Sequence, residues 1–225
     1  MESAVTVDAF ARLGAAEKRA AVRNPSAPED VIRQGAQDEG RDVRVAAVGN
    51  PGAPIDVITT GAEDGDWWVR WAAAGNPSAP EDVIRQGAQD ENQVVRVAAV
   101  GNPSAPADAI RAGVGDADSF VRYVAVGNPS APVEAIRAGV GDAVIDVRGA
   151  ATRNPRAPED VIRAGAGDAV WLVRKAAASH PRISEEAAEM LSRSTREIQR
   201  ALAGNPGVPE RIRVVAAMRV EGFDG

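Results

Sequence analysis

The pattern of charged side chains that recurs most often along the chain is an aspartate followed six residues later by an arginine. A planar guanidinium can bind a carboxylate in a bidentate manner and still donate to backbone carbonyls. Because each arginine comes with its own aspartate, we predict a structural charge ladder that joins neighbouring segments. A row of arginines that binds phosphates is the alternative interpretation. The pairs are Asp38/Arg44, Asp64/Arg70, Asp90/Arg96, Asp116/Arg122, Asp142/Arg148 and Asp168/Arg174.

Residue types exclude several kinds of catalytic and metal site. The 225-residue chain has no Cys, which excludes disulfides, thiolate metal sites, iron–sulfur clusters and a cysteine nucleophile. His180 is the single histidine, so one chain cannot build a zinc site with two imidazoles. We therefore expect no catalytic residue, no metal, no cofactor and no enzyme activity.

The charge balance disfavours nucleic acid as a partner. The chain has 26 Lys and Arg against 32 Asp and Glu, a net charge of −6, whereas phosphate backbones attract basic surfaces.

The first residues lack the basic and apolar regions of a secretory signal. No run of about 18 apolar residues predicts a membrane span. A cytoplasmic protein without membrane contact is the expectation.

Six of the eight aromatic residues cluster in three short segments, as Trp67, Trp68, Trp71, Phe120, Tyr123 and Trp171. Trp67 and Trp71 are four residues apart, and Phe120 and Tyr123 are three apart, so each pair would share one face of a helix. Trp and Tyr are the residue types that dominate interface hot spots. We predict that these six residues and Leu172 are exposed or line a groove and bind a partner; burial in the core is the alternative.

These residues belong to a 26-residue internal repeat marked by Asn-Pro. The motif recurs at 24, 50, 76, 102, 128 and 154, continues as His180-Pro181, and closes one residue early at Asn205-Pro206. With that Asn as repeat position 1, the aspartates occupy position 15 and the arginines position 21. The seven candidate binding residues occupy positions 18, 19 and 22, which vary between units. A constant framework around variable positions is typical of a repeat protein's binding surface.

Each unit is predicted to form two short helices. Pro at position 5 would begin the first helix, and Gly at position 12 would end it in a left-handed conformation. Asp at position 15 would cap the second, which stops at Gly-Asn-Pro, and the Asn amide would satisfy backbone groups at that end. The prediction is an all-α, right-handed solenoid of seven units. It forms one domain over 1–225, with an N-terminal cap (1–23), six repeats (24–179), and a divergent repeat with a C-terminal cap (180–225).

The string V-R-x-A-A-V-G-N-P-x-x-P-x-x-x-I, with Asp six residues before the Arg, resembles the leucine-rich repeat variant family. It runs here from Val95 to Ile110 and recurs along the chain. The resemblance implies alternating α and 3-10 helices in a right-handed superhelix, without β-strands, enzyme activity or a fixed ligand. The 26-residue unit is slightly long for the family. The cysteine-rich iron–sulfur segment that some family members carry does not carry over, because the chain has no Cys.

The sequence therefore predicts a non-enzymatic scaffold that binds a protein or peptide through the variable positions of the second helices. Self-association through the same aromatic residues is a further use of such a surface. One alternative is a nucleic-acid-binding module similar to the helical repeats of DNA-repair glycosylases, in which Trp67, Trp68 and Trp71 stack on a base near Asp66. Another is a structural or engineered array without a ligand.

Overall fold

The structure, a computed structural model, describes residues 5–222, and within that range the chain forms seventeen α-helices and no strand. It divides into two compact units, one ending at Gly113 and the other beginning at Val114. None of the helices in the described range combines the length and the apolar character needed to cross a membrane. The helices are α1 (Val7–Ala11), α2 (Ala15–Arg23), α3 (Glu29–Ala36), α4 (Arg41–Val48), α5 (Ile55–Ala62), α6 (Trp67–Ala74), α7 (Glu81–Gly87), α8 (Gln93–Gly101), α9 (Ala107–Val114), α10 (Ser119–Gly127), α11 (Val133–Val140), α12 (Ile145–Arg153), α13 (Glu159–Ala166), α14 (Trp171–Ala178), α15 (Glu185–Leu191), α16 (Arg196–Gly204) and α17 (Glu210–Glu221).

Within each unit the helices form two layers that follow the repeat. In the first unit, the second helices α2, α4, α6 and α8 pack in sequence, and the first helices α3, α5 and α7 pack behind them. In the second unit, α10, α12, α14 and α16 form one layer, and α11, α13 and α15 form the other. The predicted all-helical repeat solenoid is confirmed. The first helices are α-helices throughout the described range, which differs from the 3-10 helices that the family resemblance implies.

A column of isoleucines at repeat position 9 forms the centre of the core. Each of these side chains is at most 1% exposed, and Val or Ala at positions 8 and 20 packs beside it. Complete burial of one such side chain stabilises the fold by roughly 1.5–3 kcal/mol. The isoleucines are Ile32, Ile58, Ile84 and Ile110 in the first unit, and Ile136 and Ile162 in the second.

Glycine at repeat position 12 brings the two layers close together. The prediction that it ends the first helix in a left-handed conformation is wrong, because Gly61 lies inside α5. A Cβ on Gly61 would stand 2.6 Å from Cγ1 of Val48 on α4. The residue must therefore be glycine because the preceding second helix packs directly onto it. Pro at position 5 also differs slightly from the prediction, since Pro28 is the N-cap of α3 and the helix begins one residue later.

Candidate functional site

The arginines of the predicted charge ladder bind carboxylates of the following repeat. Nε of Arg70 donates to Oδ2 of Asp90 at 2.7 Å, twenty residues further along the chain. This partner differs from the one expected, which was the aspartate six residues earlier in the same repeat. The same pairing joins Arg44 to Asp64 in the first unit, and Arg122 to Asp142 and Arg148 to Asp168 in the second. Lys18 begins the series by donating to Asp38 at 2.8 Å.

Each arginine also contacts its own repeat, but through backbone carbonyls. Nη1 of Arg70 donates to the carbonyls of Asp64 and Gly65, and Nη2 donates to Oδ1 of Asp90 and to Glu91. All five N–H groups of this guanidinium therefore have protein acceptors, which leaves none for a phosphate. Arg96 and Arg174 donate in the same way to the carbonyls of Asp90 and Asp168.

The aspartates at position 15 organise the turn before the second helix rather than capping the helix itself. Oδ1 of Asp90 accepts the N–H of Asn92 at 2.8 Å, and Asn92 is the N-cap of α8. Asp116 accepts the N–H of Asp118 in the same way, and Asp118 is the N-cap of α10. The predicted N-cap is therefore wrong by two residues, because the aspartate carboxylate bonds to the N-cap residue and to an arginine of the previous repeat.

Burial and pairing shift the pKa values of the ladder arginines and aspartates. The side chains of Arg70 and Asp90 are 14% and 9% exposed. The hydrogen bond to Asp90 raises the pKa of Arg70. Hydrogen bonds from Arg122 and Arg148 lower the pKa of Asp142 and Asp168, respectively, and outweigh the opposing effect of burial. All these groups remain charged at neutral pH, so the ladder is ionic.

The Asn column at position 1 forms a second series of contacts between repeats. Nδ2 of Asn76 donates to the carbonyls of Val48 and Asn50 at 2.7 and 3.0 Å, and Oδ1 accepts the N–H of Ser78. His180 occupies the equivalent place in the divergent repeat. Its Nε2 lies 3.1 Å from the carbonyl of Asn154, and its Nδ1 accepts the N–H of Arg182. Burial lowers the pKa of His180, so the ring is neutral at neutral pH.

A groove of about 670 Å³ crosses the face of α2, α4 and α6, and we call it the α2–α4–α6 groove. Trp68 and Trp71 line one side of it and are 41% and 38% exposed. The Trp68 ring stacks on Trp67 with centroids 4.2 Å apart and meets Trp71 edge-on at 6.0 Å. Trp67 is half-buried and is not part of the lining, so the pair that shares the groove is Trp68 and Trp71 rather than Trp67 and Trp71.

Arginines line the opposite side of the α2–α4–α6 groove, and small residues line its middle. Arg19 and Arg23 project from α2, while Arg41 on α4 pairs with Asp42 at 2.9 Å. Gly49 and Ala72 are among the small lining residues. The groove is therefore cationic on one side and aromatic on the other.

The second unit carries the remaining aromatic candidates. Phe120 and Tyr123 on α10 stack with centroids 5.8 Å apart and border a smaller concavity of about 370 Å³ with Arg153. Phe120 is 53% exposed and Tyr123 is half-buried. Trp171 and Leu172 on α14 are also exposed, and Nζ of Lys175 lies 5.9 Å from the centroid of the Trp171 ring.

Comparison with known proteins identifies the fold. No family model matches the sequence, and no curated protein matches it. A solved structure described as a leucine-rich repeat variant with a novel repetitive protein structural motif aligns with 87% of this chain and 88% of its own, at a TM-score of 0.54 and 24% identity. The chain has the leucine-rich repeat variant fold. The fold that the sequence resemblance implied is therefore confirmed.

The leucine-rich repeat variant fold explains which groove residues the sequence interpretation missed. Repeat positions 19, 22 and 26 of successive second helices line the groove, whereas the sequence pattern predicted binding residues at positions 18, 19 and 22 of the units that begin at Asn24. Counting back two periods from Trp71 gives Val45 and then Arg19, so the periodicity of the fold extends into the N-terminal cap. Arg23 follows at position 26. Within residues 5–222, no group of three or more His, Cys, Asp or Glu side chains is placed to hold a metal ion.

Proposed function

We propose that the protein is a non-enzymatic scaffold that binds a protein or peptide segment in the α2–α4–α6 groove. The observation that carries the proposal is the exposure of Trp68 and Trp71 on the wall of a concave surface. Large aromatic side chains that remain exposed in a concavity are typical of interface hot spots. Repeat proteins commonly use the concave face of their helices in this way.

The framework residues support the same interpretation. The ladder arginines, the position-15 aspartates and the Asn column are engaged within the protein, as in Arg70, Asp90 and Asn76. Side chains at positions 19 and 22 are not needed for that framework and differ from unit to unit. The variable positions are therefore the surface on which selection for a partner can act without disturbing the fold.

The proposal is tested by selecting peptides against the folded protein and measuring their affinity. Peptides from a displayed library should bind wild type and lose roughly thirtyfold or more in affinity to a Trp68→Ala/Trp71→Ala variant, because hot-spot truncation costs about 2 kcal/mol or more. Trp171→Ala is the matched control, since Trp171 is equally exposed but does not line the groove. Thermal melting establishes that each variant is folded.

Two results would contradict the proposal. The first is that selected peptides bind the double alanine variant as tightly as wild type. The second is that Trp171→Ala weakens binding as much as the double substitution does, which would place the interaction outside the α2–α4–α6 groove.

A further inference from the structure

We propose that the segment bound in the α2–α4–α6 groove is an acidic peptide that also carries apolar side chains. This inference rests on the proposed function and specifies the chemistry of the partner. The inference follows from the two sides of the groove, because the cationic side attracts carboxylates and the aromatic side contacts apolar groups. One ligand that spans the groove would therefore carry both.

Arg19 and Arg23 provide the positive charge. Both are exposed, lie four residues apart on α2 and therefore share one face of that helix. Within residues 5–222, neither has a carboxylate within ion-pair distance. Both guanidinium groups thus have free donors directed at a concave surface, in a chain whose net charge is −6.

Several other arginines of the first unit bind carboxylates. Arg33 binds Asp56 on the face of the first helices, and Arg44 binds Asp64 in the ladder. Within the groove itself, Arg41 is paired with Asp42. Arg19 and Arg23 therefore line the groove without a carboxylate partner among residues 5–222, whereas Arg41 beside them has one.

The spacing of the two sides sets the length of the ligand. Arg19 on α2 and Trp71 on α6 occupy the same repeat position two helices apart. Neighbouring packed helices are separated by about 8–10 Å, so the groove spans about 16–20 Å between them. Extended chain covers about 3.3 Å per residue, so five or six residues bridge this distance. Gly49, at the end of the intervening helix α4, has no side chain and leaves room for the peptide backbone.

Two features favour a peptide over single-stranded nucleic acid. Between Arg19 and Arg23 and the tryptophans, Arg41 is already paired with Asp42, so no unpaired cation there matches the regular row of phosphates that accompanies stacked bases. One face of the Trp68 ring is already occupied by Trp67, and Trp71 meets it edge-on. Stacking of successive bases on the two tryptophans is therefore restricted, whereas an apolar side chain can contact their free edges and faces.

The test uses fluorescein-labelled peptide pools of about ten residues, a length that exceeds the bridging segment. In the acidic pool Glu alternates with an equal mixture of Leu, Phe, Trp and Ser; Gln or Lys replaces Glu in the two comparison pools. Fluorescence anisotropy should show the acidic pool binding roughly tenfold more tightly than the Gln pool, and more weakly as salt is raised. The Lys pool should not bind.

Charge reversal locates the interaction. Arg19→Gln/Arg23→Gln should abolish the roughly tenfold preference for the acidic pool over the Gln pool, and Arg19→Glu/Arg23→Glu should reverse it. Arg193→Glu/Arg196→Glu changes the net charge equally at exposed residues outside the groove and should leave binding unchanged. Circular dichroism and thermal melting of each variant establish that the fold is retained.

The possible failures are distinguishable. Equal binding of the acidic and Gln pools, lost in Trp68→Ala/Trp71→Ala, would overturn the acidic partner and leave the proposed function intact. Tighter binding of labelled oligothymidylate than of the acidic pool, lost in Arg19→Glu/Arg23→Glu, would overturn the peptide in favour of nucleic acid. If neither these pools nor library-selected peptides bound the groove, the inference and the proposed function would both be overturned.

Discussion

Replacing one carboxylate of the ladder tests whether the Arg–Asp pairs between repeats stabilise the fold, and the chain contains a matched control. Asp90 and Asp108 each accept a hydrogen bond from the Nε of an arginine of the previous repeat, at 2.7 and 2.8 Å. The two aspartates differ in exposure, because the side chain of Asp90 is 9% exposed and that of Asp108 is 58% exposed. Comparing Asp90→Ala with Asp108→Ala therefore contrasts a mostly buried pair, in which Asp90 also accepts from Nη2 of Arg70, with a solvated pair that rests on the Nε bond of Arg85.

The structure sets the expected magnitude. Asp90→Ala leaves the guanidinium of Arg70, 14% exposed, with the solvated carboxylate of Glu91 at 3.4 Å in place of Asp90, and removes the acceptor for the N–H of Asn92. Breaking a buried pair costs about 3–5 kcal/mol, and the residual solvent contact places this pair at about 3 kcal/mol. Asp108→Ala breaks a solvated pair and should cost about 0–1 kcal/mol. For a chain of this size about 3 kcal/mol corresponds to a fall in Tm of roughly 6–12 °C.

The assay is denaturant unfolding of wild type and both variants, repeated as a function of pH. Burial raises the pKa of Asp90, but the hydrogen bonds from Arg70 and Asn92 outweigh it and lower the pKa overall. A carboxylate whose pKa is lower in the folded state stabilises the fold above its unfolded pKa of about 3.9, and this contribution is lost as the pH falls further. The difference between wild type and Asp90→Ala should therefore be full at pH 7 and shrink below about pH 4. Equal stability losses for Asp90→Ala and Asp108→Ala at pH 7 would refute the reasoning.

Two further predictions concern packing and pH. Gly61→Ala should destabilise the protein by about 1–3 kcal/mol despite the higher helix propensity of Ala, because the new Cβ overlaps Val48. Gly65→Ala is the control, since a Cβ at Gly65 meets no atom within 4 Å. Its free energy of unfolding in denaturant melts should be nearly that of wild type. Burial lowers the pKa of His180, so the unfolded chain binds its proton more readily and stability should fall as the pH drops below about 6.5. His180→Asn should remove that loss between about pH 5 and 6.5, and an unchanged pH profile would contradict it.

Some features of the candidate site could be predicted from sequence because they depend on local periodicity. Variation at repeat positions 18, 19 and 22 in an otherwise constant unit indicated where exposed aromatic residues would lie, and Trp68 and Trp71 are exposed as expected. Arg19 and Arg23 were missed because the N-terminal cap lacks the Asn-Pro marker of the repeat. Their place in the groove follows from continuation of the helix register into the cap, which becomes visible once α2 packs beside α4.

The sequence by itself determined the repeat length, the two helices of each unit and the all-helical solenoid. These properties follow from patterns within about one period, where helix caps, breakers and apolar spacing act locally. Only the tertiary structure decided that Arg70 binds the aspartate of the next repeat rather than that of its own repeat. It also decided that Gly61 allows the close approach of Val48 rather than ending a helix. Contacts between repeats depend on the offset between packed helices. Because that offset arises from side-chain packing across the layer, no spacing along one unit of the sequence specifies it.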